Sequence, residues 1–102
     1  MAISTNEILD VAIVGGGVSG VYCAWRLIDA MPTNTAGRAP QIGLFEGSKR
    51  IGGRLLSVTP PGMPHIACEL GGMRYMSTHT LVRSLVENKL KLATELLPVD
   101  QP

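Results

Sequence analysis

The chain has 102 residues, 45% hydrophobic and 17% charged, with a formal net charge of +1. That describes one small domain with enough apolar side chains to need a core, which argues against disorder over most of its length. With no basic run and only one Trp, two Tyr and one Phe, the chain offers nothing for nucleic acid or an anionic membrane surface to recognise.

At the start, MAISTNEILD carries Glu7 and Asp10 but neither a basic leader nor an apolar stretch, so no signal peptide is expected. The longest uncharged run, residues 11–25, contains three consecutive glycines and falls short of the about 20 apolar residues that a spanning helix needs. A soluble, cytoplasmic protein is expected. Cys23 and Cys68 have no CxxC spacing and are expected to be small buried side chains, and no metal-ligand spacing occurs.

Residues 8–14 (ILDVAIV) form a short apolar run that stops at glycines, which predicts a strand buried on both faces. Beyond Gly15-Gly16-Gly17, the residues Val18, Val21, Trp25 and Ile28 recur at spacings of three and four, flanked by Leu27 and Met31. That spacing predicts a helix with one apolar face. Pro32 ends it by disfavouring helical geometry at Met31. A polar loop, PTNTAGRAP, leads to residues 42–45, a second buried strand closed by Glu46.

Strand, glycine turn, helix, strand and acid follow in the order of a dinucleotide-binding βαβ unit. Gly15, Gly17 and Gly20 make a G-x-G-x-x-G. The first permits a tight turn, the second lets a pyrophosphate approach the backbone, and the third lets helix and strand pack closely. Ala24 and Leu27 continue the helix face that meets the sheet. The helix start at Val18, Ser19 and Gly20 offers N–H groups and a partial positive charge to phosphates, and the Ser19 hydroxyl adds a donor. Glu46, 26 residues past Gly20, is placed to accept hydrogen bonds from ribose hydroxyls, the polar loop accounting for the long spacing.

Gly47 begins the next segment, GSKRIGGRLLSV, in which Gly52-Gly53-Arg54 follows Glu46 by eight residues. A second glycine pair with an arginine separates FAD from NAD. The longer FAD can take a cationic contact on its pyrophosphate from the opposite side, and the Arg54 fork can bond two phosphate oxygens. The bland alternative for Arg54 is a solvated arginine beside a turn. His65 follows the turn PPGMP and opens an alternating strand with Ile66, Cys68 and Leu70 on one face. ELGGMRY comes next, then a helix capped by Ser77 or Thr78, with Leu81, Val82, Leu85 and Val86 as its apolar face, running to about Asn88. KLATELLPV reads as one more short strand. Neither His65 nor His79 is assigned a role.

Together, VAIVGGGVSG, LFEGSKRIGGR and ELGGMRY resemble the N-terminal part of the flavin-containing amine oxidase superfamily, over roughly residues 11–75. The third motif is similar to that of the L-amino-acid oxidase branch, which includes amino-acid monooxygenases. The resemblance implies FAD, with the glycine turn, Glu46 and Gly47 on its adenosine diphosphate half and Arg54 on its pyrophosphate. It implies that the isoalloxazine passes along Gly71, Gly72 and Met73, and that Arg74 lies beside the flavin as a cofactor contact and pairs with the α-carboxylate of an amino-acid substrate. Many relatives carry an arginine two positions after the acid, near the adenine; Ser48 stands there in this chain, with Lys49 or Arg50 as substitutes.

The implied whole-enzyme reaction is oxidative deamination of an L-amino acid to a 2-oxo acid, ammonia and hydrogen peroxide; no residue is assigned as catalytic base. Alternatives stay open. Arg74 could cap a strand or pair with Glu69; the enzyme could be an amine or polyamine oxidase or a desaturase of the same superfamily; or the chain could be a non-catalytic nucleotide-binding module that needs a partner chain.

The expected fold class is α/β, an incomplete part of a larger FAD/NAD(P)-binding fold. It comprises a Rossmann-like βαβ unit at about 8–46, a glycine–arginine and hairpin segment at about 47–76, and a helix and tail at about 77–102. Further parallel strands and a substrate domain or partner chain are needed to complete such a fold, so the chain alone, whether a fragment, a truncated reading or one piece of a split enzyme, is expected to be poorly stable.

Overall fold

The computed structural model describes residues 8–30, 33 and 37–98. The chain divides into two compact units, Met1–Gly72 and Met73–Pro102. In the first, β1 (Val11–Val14), α1 (Val18–Ala30) and β2 (Ile42–Phe45) form a βαβ unit. The two strands pair in parallel, Val11 opposite Ile42 and Val14 opposite Phe45, which a helical crossover between them makes possible. Main-chain bonds extend the pairing at both ends, from the Asp10 N–H to the Gln41 carbonyl (2.8 Å) and from the Gly15 N–H to the Phe45 carbonyl (2.7 Å). The Asp10 carboxylate adds a bond from the Gln41 N–H (2.7 Å) and an ion pair with Arg38 (3.4 Å).

The expectation of strands buried on both faces is not met. Along β1 only Ile13 is buried, at 9% exposure, while Val14 beside it is 88% exposed. A single helix covers the two-stranded sheet, so residues alternate between the covered side and the open one. α1 likewise turns Gly20, Ala24 and Leu27 inward, each half-buried. Val18, Val21, Trp25 and Ile28 are more than a third exposed, although their spacing marked them as the apolar face. Cys23 lies on this outer side and is exposed rather than buried; Cys68 is half-buried. Met31 and Pro32, expected to end the helix, lie outside the described residues.

After β2 the chain returns to the glycine-rich turn, where Gly17 and Gly52 form a parallel bridge. Then β3 (Ser57–Val58) and β4 (Cys68–Glu69) pair antiparallel, Ser57 opposite Glu69. This hairpin is shorter than the alternation of Ile66, Cys68 and Leu70 suggested, because the Ile66 N–H bonds the Met63 carbonyl in a turn (3.1 Å). The Ser57 hydroxyl ties it across by donating to Glu69 at 2.6 Å.

In the second unit, α2 (Thr80–Arg83) passes into a wider π-helical stretch, Ser84–Lys89. The residue at the N-cap is His79, not Ser77 or Thr78. Its Nδ1 accepts the Met76 N–H at 3.2 Å and its carbonyl accepts the Arg83 N–H at 2.9 Å, so the imidazole closes the turn before the helix. Leu85 and Val86 are half-buried, whereas Leu81 and Val82 are exposed. Of KLATELLPV, residues 91–98 do not form the expected strand, and Val99 lies outside the described residues. The N–H groups of Leu90 and Leu92 instead bond the carbonyls of Leu85 and Val86 (2.8 and 2.9 Å), through Lys91 at φ +51°, folding the tail onto the π stretch.

Candidate dinucleotide cleft

The local chemistry of the first glycine turn follows from its backbone. Gly15 has φ +105°, a conformation that L side chains rarely adopt, and so the chain can leave β1 sharply. The first turn of α1 closes with a bond from the Val21 N–H to the Gly17 carbonyl (3.0 Å). A Cβ on Gly20 would overlap the Gly15 carbonyl oxygen and sit 3.4 Å from Ile13, so only glycine lets the helix approach β1 this closely. The N–H groups of the first helical turn have no acceptor within the helix and carry the positive end of its dipole.

A second glycine turn faces this one. The Gly52 N–H donates to the Gly16 carbonyl at 2.8 Å, and a Cβ on Gly53 would lie 3.2 Å from the Gly17 Cα. Between the turns lies a cleft of about 700 Å³, lined by Val14, Gly15, Gly17, Val18, Ser19, Gly20, Gly52, Gly53, Arg54, Leu55 and Gly72. Seven of the expected cofactor contacts, Gly15, Gly17, Val18, Ser19, Gly20, Arg54 and Gly72, therefore share one concavity. The Arg54 side chain makes no hydrogen bond or ion pair among the described residues, while its carbonyl accepts the Gly72 N–H at 2.9 Å. Gly71 does not line the cleft, but a Cβ there would overlap that same Arg54 carbonyl, so the hairpin's end presses directly on the arginine turn.

Glu46 lies outside the lining. Its carboxylate accepts the Gly16 N–H at 2.9 Å and the Ser48 N–H at 2.7 Å. Its pKa is held down at about 2, first by the Ser48 side chain, then by the Gly16 and Ser48 N–H groups, with Arg50 adding positive charge. The Ser48 hydroxyl has one proton and lies within reach of both this carboxylate and the Arg50 carbonyl (2.9 Å). A carboxylate has about four lone-pair sites, so with these three donors Glu46 keeps an acceptor position for a hydroxyl. Gly47 is exposed and lines no part of the cleft.

Met73 and Arg74 open the second unit and are exposed. Arg74 makes no hydrogen bond or ion pair among the described residues. The residue after it is anchored. Tyr75 donates its hydroxyl to Glu87 at 2.9 Å, and Glu87 also takes a bond from Arg83 at 3.2 Å. Burial and the neighbouring carboxylate raise the Tyr75 pKa, while Tyr75 and Arg83 lower that of Glu87.

Two features escaped the sequence reading. One is the Tyr75–Glu87 bond, which no local spacing announces. The other is Arg50, weighed only as a substitute on the adenine side, whose guanidinium bonds the carbonyls of its own loop. Among the described residues no group of three or more His, Cys, Asp or Glu could hold a metal ion, and no helix is long and apolar enough to cross a membrane.

Residues 13–88 match the model of the NAD(P)-binding Rossmann-like domain family. Achacin from Lissachatina fulica is 38% identical over 87 residues, which are 85% of this chain and 15% of that protein. Aplysianin-A from Aplysia kurodai is 37% identical over 83 residues, 80% of this chain and 14% of that protein. Tryptophan 2-monooxygenase of Agrobacterium tumefaciens (strain Ach5) is 32% identical over 65 residues, 64% of this chain and 8% of that protein. The chain thus spans less than a fifth of the length of these relatives.

Proposed function

The chain belongs to the NAD(P)-binding Rossmann-like domain family, and from that premise we propose that it is the FAD-binding part of an amino-acid-oxidising flavoenzyme. The observation that carries this reading is the cleft shared by two glycine turns and Arg54. Gly17 and Gly53 are close enough that side chains there would crowd the cleft, and the start of α1 opens onto it. A bare backbone, a helix N-terminus and a free guanidinium suit a pyrophosphate gripped from two sides. A nicotinamide dinucleotide needs only the first turn, so the second favours FAD.

In this reading Gly15, Gly17, Val18, Ser19 and Gly20 carry the phosphates on backbone N–H groups, and Arg54 closes on them from the opposite wall. Glu46, ionised because its bonds hold its pKa near 2, accepts from the ribose. Gly47 continues the backbone beside it, and Gly71 and Gly72 supply backbone bare of side chains for the flavin, with Met73 next in the chain. When bound, FAD supplies the two-electron acceptor. Arg74 binds the substrate carboxylate, which orients the Cα–H bond of an L-amino acid. In the whole enzyme the amino acid, water and dioxygen would give a 2-oxo acid, ammonia and hydrogen peroxide, water hydrolysing the imino acid and dioxygen taking the two electrons. The similarity to a tryptophan 2-monooxygenase supports an amino-acid substrate, and Arg74 disfavours an amine lacking a carboxylate.

Two variants of the full-length protein test the two halves of the proposal. Arg54→Gln should lose bound flavin on gel filtration, and retention at the wild-type ratio would refute the cleft assignment. Arg74→Ala should keep flavin but raise KM for L-amino acids by at least about tenfold, as expected for a lost charged pair. An unchanged KM would end the carboxylate role.

A further inference from the structure

Arg50 is exposed and does not line the cleft, yet its side chain is the most heavily engaged in the loop. Its Nη2 donates to the Gly53 carbonyl at 2.7 Å, and its Nη1 reaches the carbonyls of Leu55 at 3.3 Å and Ile51 at 3.4 Å. These acceptors flank Gly52 and Arg54. Within the turn one main-chain bond runs from the Leu55 N–H to the Gly52 carbonyl (3.0 Å), the Gly52 N–H and the Arg54 carbonyl tie its edges to Gly16 (2.8 Å) and Gly72 (2.9 Å), and its two glycines have positive φ, +115° and +58°. Consecutive glycines of this kind have much conformational freedom to lose, and none of these main-chain bonds holds the peptide between Gly53 and Arg54. A guanidinium forked over three carbonyls supplies the missing restraint. It also covers oxygen atoms whose partial negative charge would oppose a phosphate nearby.

Peptide planarity gives the fork a direction. With the Gly53 carbonyl turned to Arg50, the Arg54 N–H must point the other way. We propose that Arg50 is a positioning residue of the nucleotide site: it fastens the Gly52–Gly53 turn so that Arg54 and its backbone face the glycine-rich loop, without touching the nucleotide itself. The role is distinct from that of Arg54, which has a free guanidinium, and from the adenine-side contact for which Arg50 was considered. This inference rests on the dinucleotide reading of the cleft.

Lysine separates a role in charge from a role in forked hydrogen bonding at Arg50. An ammonium can meet a phosphate as a point charge but cannot span carbonyls on both sides of a turn. In the full-length apoprotein titrated with FAD and followed by flavin fluorescence, Arg50→Lys should lose about tenfold in affinity although it keeps the charge, the scale of bonds to a charged group. The melting temperature of the flavin-free protein should be the same in Arg50→Lys and wild type, and methylguanidinium at non-denaturing concentration should restore part of the FAD affinity to Arg50→Ala. Wild-type affinity in Arg50→Lys would overturn the proposal. So would a lowered flavin-free melting temperature or a failure of methylguanidinium to rescue, since either means a general structural role. If wild type itself takes up no FAD, the dinucleotide reading falls and this inference with it; if wild type binds and Arg50→Lys binds equally well, only the inference falls.

Discussion

Glu46 shows how one side chain serves fold and site together. Its two oxygens tie the glycine-rich turn, through Gly16, to the end of β2, through Ser48. The pKa near 2 lies below the ordinary 4.5, so the folded chain favours the ionised form. The stabilisation this brings is complete above the ordinary carboxylate range and drains away as pH falls from about 4.5 toward about 2. Melting temperature followed by circular dichroism should therefore drop across that window in the wild type and vary less in Glu46→Gln. Equal slopes in the two proteins would show that the bonds do not persist in solution. A second test at this scale is Gly20→Ala. The added methyl meets a backbone oxygen that cannot move aside without separating α1 from β1. Overpacking of this kind costs about 1–3 kcal/mol and should appear as a lower urea midpoint.

At the scale of elements, the hairpin and the arginine turn act as one piece. Gly71 passes so close to the Arg54 carbonyl that Gly71→Ala must push β4 away or reshape the turn, breaking the 2.9 Å bond from Gly72. Faster amide exchange at Leu70 and Gly72 in that variant would report the separation, and unchanged protection would refute it. In the second unit, the Tyr75 hydroxyl holds the segment after Arg74 to the helix through Glu87. Tyr75→Phe keeps the ring and removes the bond. Amide exchange should quicken at Leu90 and Leu92, whose donors close the wide turns of Ser84–Lys89. The short strand expected of KLATELLPV is absent over residues 91–98, where the Leu92 N–H is spent on the Val86 carbonyl, a bond that no local pattern discloses.

Over the whole molecule, apolar surface outweighs apolar core. Ile13 is the one buried hydrophobic side chain among the described residues, while Ile8, Val14, Leu81 and Leu96 are each at least 80% exposed. Folding is driven mainly by apolar burial, and so little of it cannot offset the conformational entropy of a chain this long. The 102-residue chain by itself should melt over a broad range and bind an apolar dye such as ANS in its native buffer. A sharp two-state transition without dye binding would contradict this.

Much of the architecture was legible in the linear order of residues. A β-branched run, three glycines, a helical period, a second run and an acid specify a parallel βαβ unit because each requirement is local: strand propensity, freedom at positive φ, and helix periodicity. The glycine–arginine pair was legible for the same reason. The inward turn of Gly20, Ala24 and Leu27 was legible in the glycine motif, whereas the exposure of Val18, Val21, Trp25 and Cys23 depended on what lies beside the helix. The meeting of the two glycine turns, the grip of Glu46 on Gly16, the fork of Arg50 over its own loop and the bond from Tyr75 to Glu87 were decided only in the tertiary structure. They join groups whose directions are set by backbone geometry, and a string of side-chain types does not contain those directions.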